Sequence, residues 1–396
     1  MMGISINEAV GRLLERVPFD ISKEEERVPL WEAAGRIAAH DICAPGDIPG
    51  FNRSAMDGYA ICHEDVGELK VVGRLFAGDY EQIPFERGTA VRVMTGAFIP
   101  DGYDCVVMQE DTDGGEDVVK INKTMSEFEN YCHAGEDIEK GELVIKRGTL
   151  LKSSHTGILA SLGYDSVEVK KPVPTRLIST GSEIMSPGEE LLPGKIYNSS
   201  AYMLMSAVKR RGLRALPPLA VMDDEQALGD AIDEAAKSAG VIITTGGVSV
   251  GQKDIIPGVL ERLGAQIIFR GVDIQPGTPT IGAVYKGSIL LCLSGNPFAA
   301  LANFEVYYWE VMAKLMGCED LKSVIGSAVL KTPYEKVNRH TRLVRAFAKD
   351  GEVFIPGSTH HASVISDLTE CNCLIELEAG RRVNIGERVK IRMLSE

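Results

Sequence analysis

Val241-Ile242-Ile243-Thr244-Thr245-Gly246-Gly247-Val248-Ser249 is the stretch that sets the fold. Five consecutive branched residues form a strand, and the glycine pair ends it and lets the backbone turn. The same strand-then-punctuation pattern recurs on both sides, from Pro174 to Met316. Thr175–Thr180 is expected as a strand, Asn198 as the cap of a helix running to Gly212, and Leu216–Val221 as another strand. Helices are expected over Glu225–Ser238 and Ile255–Leu263, on either side of the Val241–Thr245 strand. Strands at Gln266–Phe269 and Ser288–Leu293 then lead into a long helix from Pro297 to about Met316. Alternation of this kind predicts a doubly wound, mostly parallel α/β domain with helices on both faces, spanning 174–320.

The flanking segments read differently. Ser5 with Glu8 makes a capping-box pattern, and Ile6, Val10, Leu13, Leu14 and Val17 mark one face of a first helix. A second helix is expected around Leu30 to His40, with Ala33, Ala34, Ile37 and Ala38 as its apolar stripe. Residues 47–136 carry short β-like runs (Leu69–Val72, Ala90–Met94, Cys105–Met108, Val118–Ile121) between Gly, Pro and Asp, so an inserted all-β domain is expected. Residues 137–173 return to a mixed character and are expected to rejoin 1–46 as a helical and mixed linking domain. From 321 to 396, strand-like runs at Leu343–Ala348, Leu374–Leu377 and Arg388–Met393 predict a small β-barrel-like domain.

Composition sets outer limits. The 396 residues carry 42 Lys and Arg against 56 Asp and Glu, a net charge of −14 that speaks against a nucleic-acid-binding surface. No apolar run approaches the roughly 18 residues of a membrane span, and Glu8 and Glu15 interrupt the place of a signal peptide. A cytoplasmic protein is therefore expected. Eight scattered cysteines without a CxxC pair argue against structural zinc and against a disulfide scaffold. Cys371 with Cys373, and His360 with His361, read as structural pairs.

Ligands of an open parallel sheet bind beyond the carboxyl ends of its strands. Three such ends carry similar punctuation: Ser179-Thr180-Gly181-Ser182-Glu183, Thr244-Thr245-Gly246-Gly247-Val248-Ser249 and Ser294-Gly295-Asn296-Pro297. Each alone is a turn with a cap, Asn296 capping and Pro297 opening a helix. Three together point to a phosphate or oxyanion site built from glycines, hydroxyls and helix amides. Glu183, Asp223 or Asp224, and Asp254 lie on the same edge. Carboxylates beside an anion call for a divalent cation between them, and hard oxygen donors suit Mg²⁺. A P-loop and a GxGxxG motif are both absent, so Mg²⁺-assisted chemistry at a phosphoanhydride outside those folds is expected.

Longer motifs then resemble one family. Pro49-Gly50-Phe51-Asn52-Arg53-Ser54-Ala55-Met56-Asp57-Gly58-Tyr59-Ala60, Met94-Thr95-Gly96-Ala97 with Pro100, and His133-Ala134-Gly135-Glu136-Asp137-Ile138 resemble the MoeA family of molybdopterin molybdotransferases, related to the E domain of gephyrin. Thr180-Gly181-Ser182-Glu183, Thr245 to Gly251 with Asp254, and Gly295-Asn296-Pro297 continue the match in order along the chain. The resemblance implies insertion of molybdate into adenylylated molybdopterin, with Mg²⁺ and release of AMP. It also implies a homodimer whose active site is composite, the β insert of one subunit facing the α/β domain of the other. Catalytic roles fall by motif on Asp57, Glu183 and Asp254, with Glu183 and Asp254 as metal ligands. Substrate-binding roles fall on Thr95, Asp137, Thr180, Gly181, Ser182, Asp223, Asp224, Gly246, Gly247, Ser249, Ser294, Gly295, Asn296, Pro297 and Ser366. Gln275 and Thr278 stand where many members carry lysines. Molybdopterin adenylyltransferase and apo-molybdoenzymes are the partners implied. The alternatives are that the chain is itself such an adenylyltransferase, or a non-catalytic molybdopterin-binding scaffold.

Overall fold

The computed structural model describes residues 3–22, 24–248, 255–357 and 361–395. Ser249, Asp254 and His360 therefore lie outside the described residues. The expected α/β sheet is present, with six strands in the order Leu219–Val221, Thr175–Thr180, Val241–Thr245, Ser288–Leu293, Ile281–Tyr285, Gln266–Arg270. The first four run parallel, Ile281–Tyr285 runs antiparallel to them, and Gln266–Arg270 pairs antiparallel with it at the edge. All five residues of Val241–Thr245 are buried, as a strand covered on both faces requires.

Two local expectations need correction. Ile281–Tyr285 is a strand that the sequence pattern left out. It forms a hairpin with Ser288–Leu293 through Lys286-Gly287, both at positive φ (48° and 85°). A two-residue turn of that hand matches strand twist, so Gln266–Arg270 pairs with the hairpin instead of ending a parallel crossover. The helix expected over Leu30 to His40 is a single 3₁₀ turn, Leu30–Glu32. Gly35 then takes φ +81°, and its amide donates to the Leu151 carbonyl at 2.8 Å, with Ala38 donating to Thr149 at 3.0 Å. Ala33, Ile37 and Ala38 are buried as expected, but through extended pairing across to the 149–170 segment.

Elsewhere local chemistry and structure agree. Ser5 Oγ accepts the Glu8 amide at 3.2 Å and starts the helix Ile6–Arg16, whose Ile6, Ala9 and Leu13 join the core under the sheet. Between residues 47 and 136 a five-stranded sheet runs in the order Cys105–Met108, Gly58–Ile61, Thr89–Val93, Gly67–Leu75, Val118–Ile121. Separate apolar clusters cover its two faces, one around Tyr59, Val107 and Ile121, the other around Val91, Phe98 and Val106. At the C-terminus Thr341–Lys349, Glu352–Phe354, Ile325–Leu330, Arg388–Met393 and Cys373–Leu377 pair in sequence and close into a small barrel. Cys371 and Cys373 are buried and pack, consistent with a structural role.

The helix Pro297–Met316 is the central member. Every residue except Pro297, Glu310 and Lys314 is buried, against the first helix, the sheet and the barrel. Its one buried acid, Glu305, accepts hydrogen bonds from Trp309 Nε1 (2.9 Å), Ser395 Oγ (2.9 Å) and the Ser395 amide (3.3 Å). Burial pushes the Glu305 carboxyl up from its ordinary value. At the other end, the fully buried Lys170 donates to Asp20 Oδ1 (2.7 Å) and to the Met316 carbonyl (2.8 Å), a cation at a helix C-terminus.

Replacing Glu305 by Ala should strand buried donors on Trp309 and Ser395 and detach the C-terminal residues from the helix. The expected loss is about 2–4 kcal/mol, read as a lower urea midpoint with unchanged slope.

Candidate active site

The register of the parallel strands decides where the three punctuated loops lie. Ser179 pairs with Thr245, and Thr245 with Leu293, so the loops leave the sheet side by side. Gly246 sits at φ +97°, and a Cβ there would lie 2.2 Å from the Thr180 carbonyl oxygen. Only glycine lets the second loop approach the first this closely. A Cβ on Gly295 would in turn lie 3.3 Å from Gly246 Cα, so the third loop is packed on the second. Beneath them Ser179 Oγ bonds Thr245 Oγ1 at 2.9 Å and donates to Asn198 Oδ1 at 3.2 Å. Asn198 Oδ1 also accepts the Ala201 amide, capping the helix Ser199–Arg210.

These loops form one wall of a cavity of about 1380 Å³. Thr180, Gly181, Glu183, Asp223, Gly246, Gly247, Ser294, Gly295, Asn296 and Pro297 all line it. Asn296 occupies the N-cap position of the long helix without a side-chain capping bond, contrary to the cap role read from sequence, and it lines the cavity. The opposite wall comes from Gln275 to Pro279 and from His361, Ala362, Ser363 and Ile365. Asn303, inside the long helix, secures the first of these by donating to the Pro276 carbonyl (3.1 Å) and accepting from Thr280 Oγ1 (3.0 Å). Gly277, at φ +101°, is required there, because a Cβ would meet Asn303 Nδ2 at 1.7 Å. Arg345, wholly buried, secures the second by donating to Asp367 (2.8 Å) and to the Val364 carbonyl (2.8 Å).

The wall chemistry is mixed in sign. Arg270 and Arg342 line the cavity together with Glu183 and Asp223. Asp223 accepts from Thr180 Oγ1 (2.9 Å) and from the Ser182 amide (3.3 Å), which fixes the Ser179 to Glu183 loop to the loop that carries this carboxylate. Asp224 is separated from it in role: it caps the helix Glu225–Ala236 by accepting the Ala227 amide at 2.8 Å, and it does not line the cavity. Arginines and helix amides suit a phosphate or oxyanion, and the carboxylates suit a hard cation beside it.

Comparison with known proteins agrees with this layout. Residues 4–163 match the model of the MoeA N-terminal region (domain I and II), and residues 178–314 match a probable molybdopterin binding domain. A molybdopterin molybdenumtransferase of Staphylococcus epidermidis is 35% identical over 390 residues, 96% of this chain and 92% of the relative. The one from Bacillus subtilis is 33% identical, over 99% of this chain and 94% of the relative. The chain belongs to the MoeA family. A crystal structure of the molybdopterin biosynthesis moeA protein from Pyrococcus horikoshii superposes with a TM-score of 0.86 at 27% identity, over 99% of this chain and all of that one.

The remaining MoeA motif residues lie away from the cavity in the single chain. Asp57 stands at the start of the Gly58–Ile61 strand, exposed, and accepts both the amide and Oγ1 of Thr95 at 2.7 Å. Those two bonds hold its carboxyl below the usual carboxylate range, the amide contributing more. Gly58 beside it is obligatory, since a Cβ would lie 1.8 Å from the Val107 carbonyl. Asp137 is exposed, its amide bonded to the Ile48 carbonyl at 3.0 Å. Ser366 opens a 3₁₀ turn and does not line the cavity; Ser363 does. Gln275 and Thr278, which stand at the positions of family lysines, line it, and so do Arg270, Arg342 and His361, whose local sequence gave no such signal, His361 having been read as structural. Only closure of the barrel brings Arg342 and His361 to the sheet edge, Arg342 pairing with Gln275 across two strands.

Two tests follow from this geometry. Gly246→Ala should cost about 2 kcal/mol or more in stability and weaken phosphate-ligand binding measured by calorimetry. Thr95→Val, which keeps the amide bond and loses the hydroxyl bond, should move Asp57 part of the way up toward its ordinary value in a carboxyl-carbon NMR titration.

Proposed function

We propose that this chain is a molybdopterin molybdenumtransferase that inserts molybdate into adenylylated molybdopterin and releases AMP. The observation that carries the proposal is the single cavity where three glycine-containing strand ends, a helix N-terminus, two arginines and two carboxylates converge, within a chain related to molybdopterin molybdenumtransferases over nearly its whole length.

In this proposal the phosphate groups of the substrate rest on the loops at Gly246, Gly247 and Gly295 and on the amides at the start of the long helix. Arg270 and Arg342 balance the charge of phosphate or molybdate. Thr180, Ser294, Asn296 and Asp223 orient the substrate, and the Ser182 amide holds the Asp223 carboxylate in place. Glu183 and Asp223, with Asp254 beyond the described residues, form a hard oxygen set that fits Mg²⁺. When bound there, that ion would neutralise charge on the phosphoanhydride. Asp57, kept ionised by Thr95, and Asp137 would complete the site from the β insert of a second subunit and its edge; neither lines the cavity of its own chain. The working unit proposed is a cytoplasmic homodimer with two composite sites, receiving substrate from an adenylyltransferase and passing product to apo-molybdoenzymes. No helix among the described residues is long and apolar enough to cross a membrane, and all eight cysteines are free thiols.

Incubation with adenylylated molybdopterin, Mg²⁺ and molybdate should release AMP in a molybdate-dependent way. ATP consumption with unmodified molybdopterin would instead indicate the adenylyltransferase, and binding without turnover a scaffold. Glu183→Ala should reduce AMP release far more than it weakens pterin binding, because it acts on charge in the transition state. Asp57→Ala and Glu183→Ala should each be nearly inactive, and their random mixture should recover about one quarter of wild-type activity, since half the dimers then hold one intact site. A purified, folded heterodimer without activity would overturn the shared site.

A further inference from the structure

At the far end of the Gly58–Ile61 strand from Asp57, three ligating side chains meet outside the cavity: Cys62, His63 and Asp104. Asp104 Oδ2 lies 2.7 Å from His63 Nδ1 and 3.8 Å from Cys62 Sγ. Asp104 Oδ1 accepts the His63 amide at 2.7 Å, which fixes the carboxylate. All three ligating atoms lie within 4.8 Å of one another. We propose that these residues form a binding site for a zinc-type divalent transition-metal ion, with a fourth position left to solvent.

The geometry suits such an ion. Tetrahedral bonds of usual zinc length give a sulfur-to-oxygen edge of about 3.6 Å and a nitrogen-to-oxygen edge of about 3.4 Å. The first is nearly met already, and the second needs His63 to open by roughly 0.7 Å at a half-exposed position. Donors are also aimed at the sulfur. The Glu64 amide bonds it, and Arg87 Nη1 donates to it at 3.2 Å. Donors of this kind support a metal-bound thiolate and orient it. Arg87 does not oppose the cation, because it is paired with Glu64 and with Asp65 (3.3 Å). One thiolate and one carboxylate then match a divalent charge. The ligands come from segments 41 residues apart, so no CxxC signature marks the site in the sequence. Bound metal would tie the turn after Gly58–Ile61 to the start of Cys105–Met108 and brace the strand that begins beside Asp57.

Cobalt(II) is the probe. Added to the purified full chain, it should give a near-ultraviolet thiolate-to-cobalt charge-transfer band and visible bands of tetrahedral intensity, and zinc should abolish both by displacing it. Cys62→Ser should abolish the charge-transfer band, while Cys43→Ser, which alters an exposed thiol elsewhere, should leave it intact. His63→Ala, at a partly exposed position that folding tolerates, should weaken cobalt affinity at least tenfold. Zinc should raise the melting temperature of the unaltered chain by several degrees and leave that of His63→Ala unchanged. A folded chain that shows no charge-transfer band, or a band that survives Cys62→Ser or disappears with Cys43→Ser, would overturn the proposal.

Discussion

The molecule depends on the burial of one helix, Pro297–Met316. Its apolar surface is too large for one neighbour, so the N-terminal helix, the sheet and the barrel all pack on it. Burying 17 of 20 residues on three sides makes the helix a common core for elements that are distant in sequence. Two of its buried polar residues each fix a distant segment. Glu305 holds the C-terminal Ser395, and Asn303 holds the Pro276 to Thr280 loop. Its last carbonyls receive Lys170 from the linking segment. A buried polar group is costly when unbonded, so each of these bonds also specifies one arrangement.

That arrangement delivers the cavity. A helix end exposes unpaired amides, and the parallel register places three strand ends next to it. Glycines then decide how closely the backbones come together. Gly246 and Gly277 occupy places where any Cβ would overlap a neighbouring carbonyl or amide group. The resulting wall offers backbone donors, hydroxyls and carboxylates held by one another, a surface organised before any ligand arrives.

Charge is distributed with the same economy. A chain of net charge −14 places two arginines on the cavity wall, and Arg345 holds a neighbouring loop. Asp223 and Asp224 show how position divides chemistry between identical side chains. One ties two loops at the cavity, and the other caps a helix beside it. No spacing rule separates them, because the difference lies in which way a single turn faces.

The sequence by itself determined the local elements whose signals are short-range. Runs of branched residues gave Thr175–Thr180, Val241–Thr245 and Ser288–Leu293, capping side chains gave the helix starts at Ser5 and Asn198, and a proline at the first helical position gave the one at Pro297. The three glycine-marked loops were legible as a site because parallel strands place their carboxyl ends on one edge. Tertiary structure decided what depended on distant partners. Leu30 to His40 has a helical apolar pattern, yet its backbone bonds go to residues 149–170, and non-local pairing outweighs weak local propensity. Ile281–Tyr285 became a strand through its hairpin, and Arg342 and His361 reached the cavity only when the barrel closed onto the sheet. Cys62, His63 and Asp104 likewise meet only because two strands of the insert pair. Short-range hydrogen bonding and side-chain periodicity are written along the chain, whereas contacts between separated segments follow from how buried surfaces fit together.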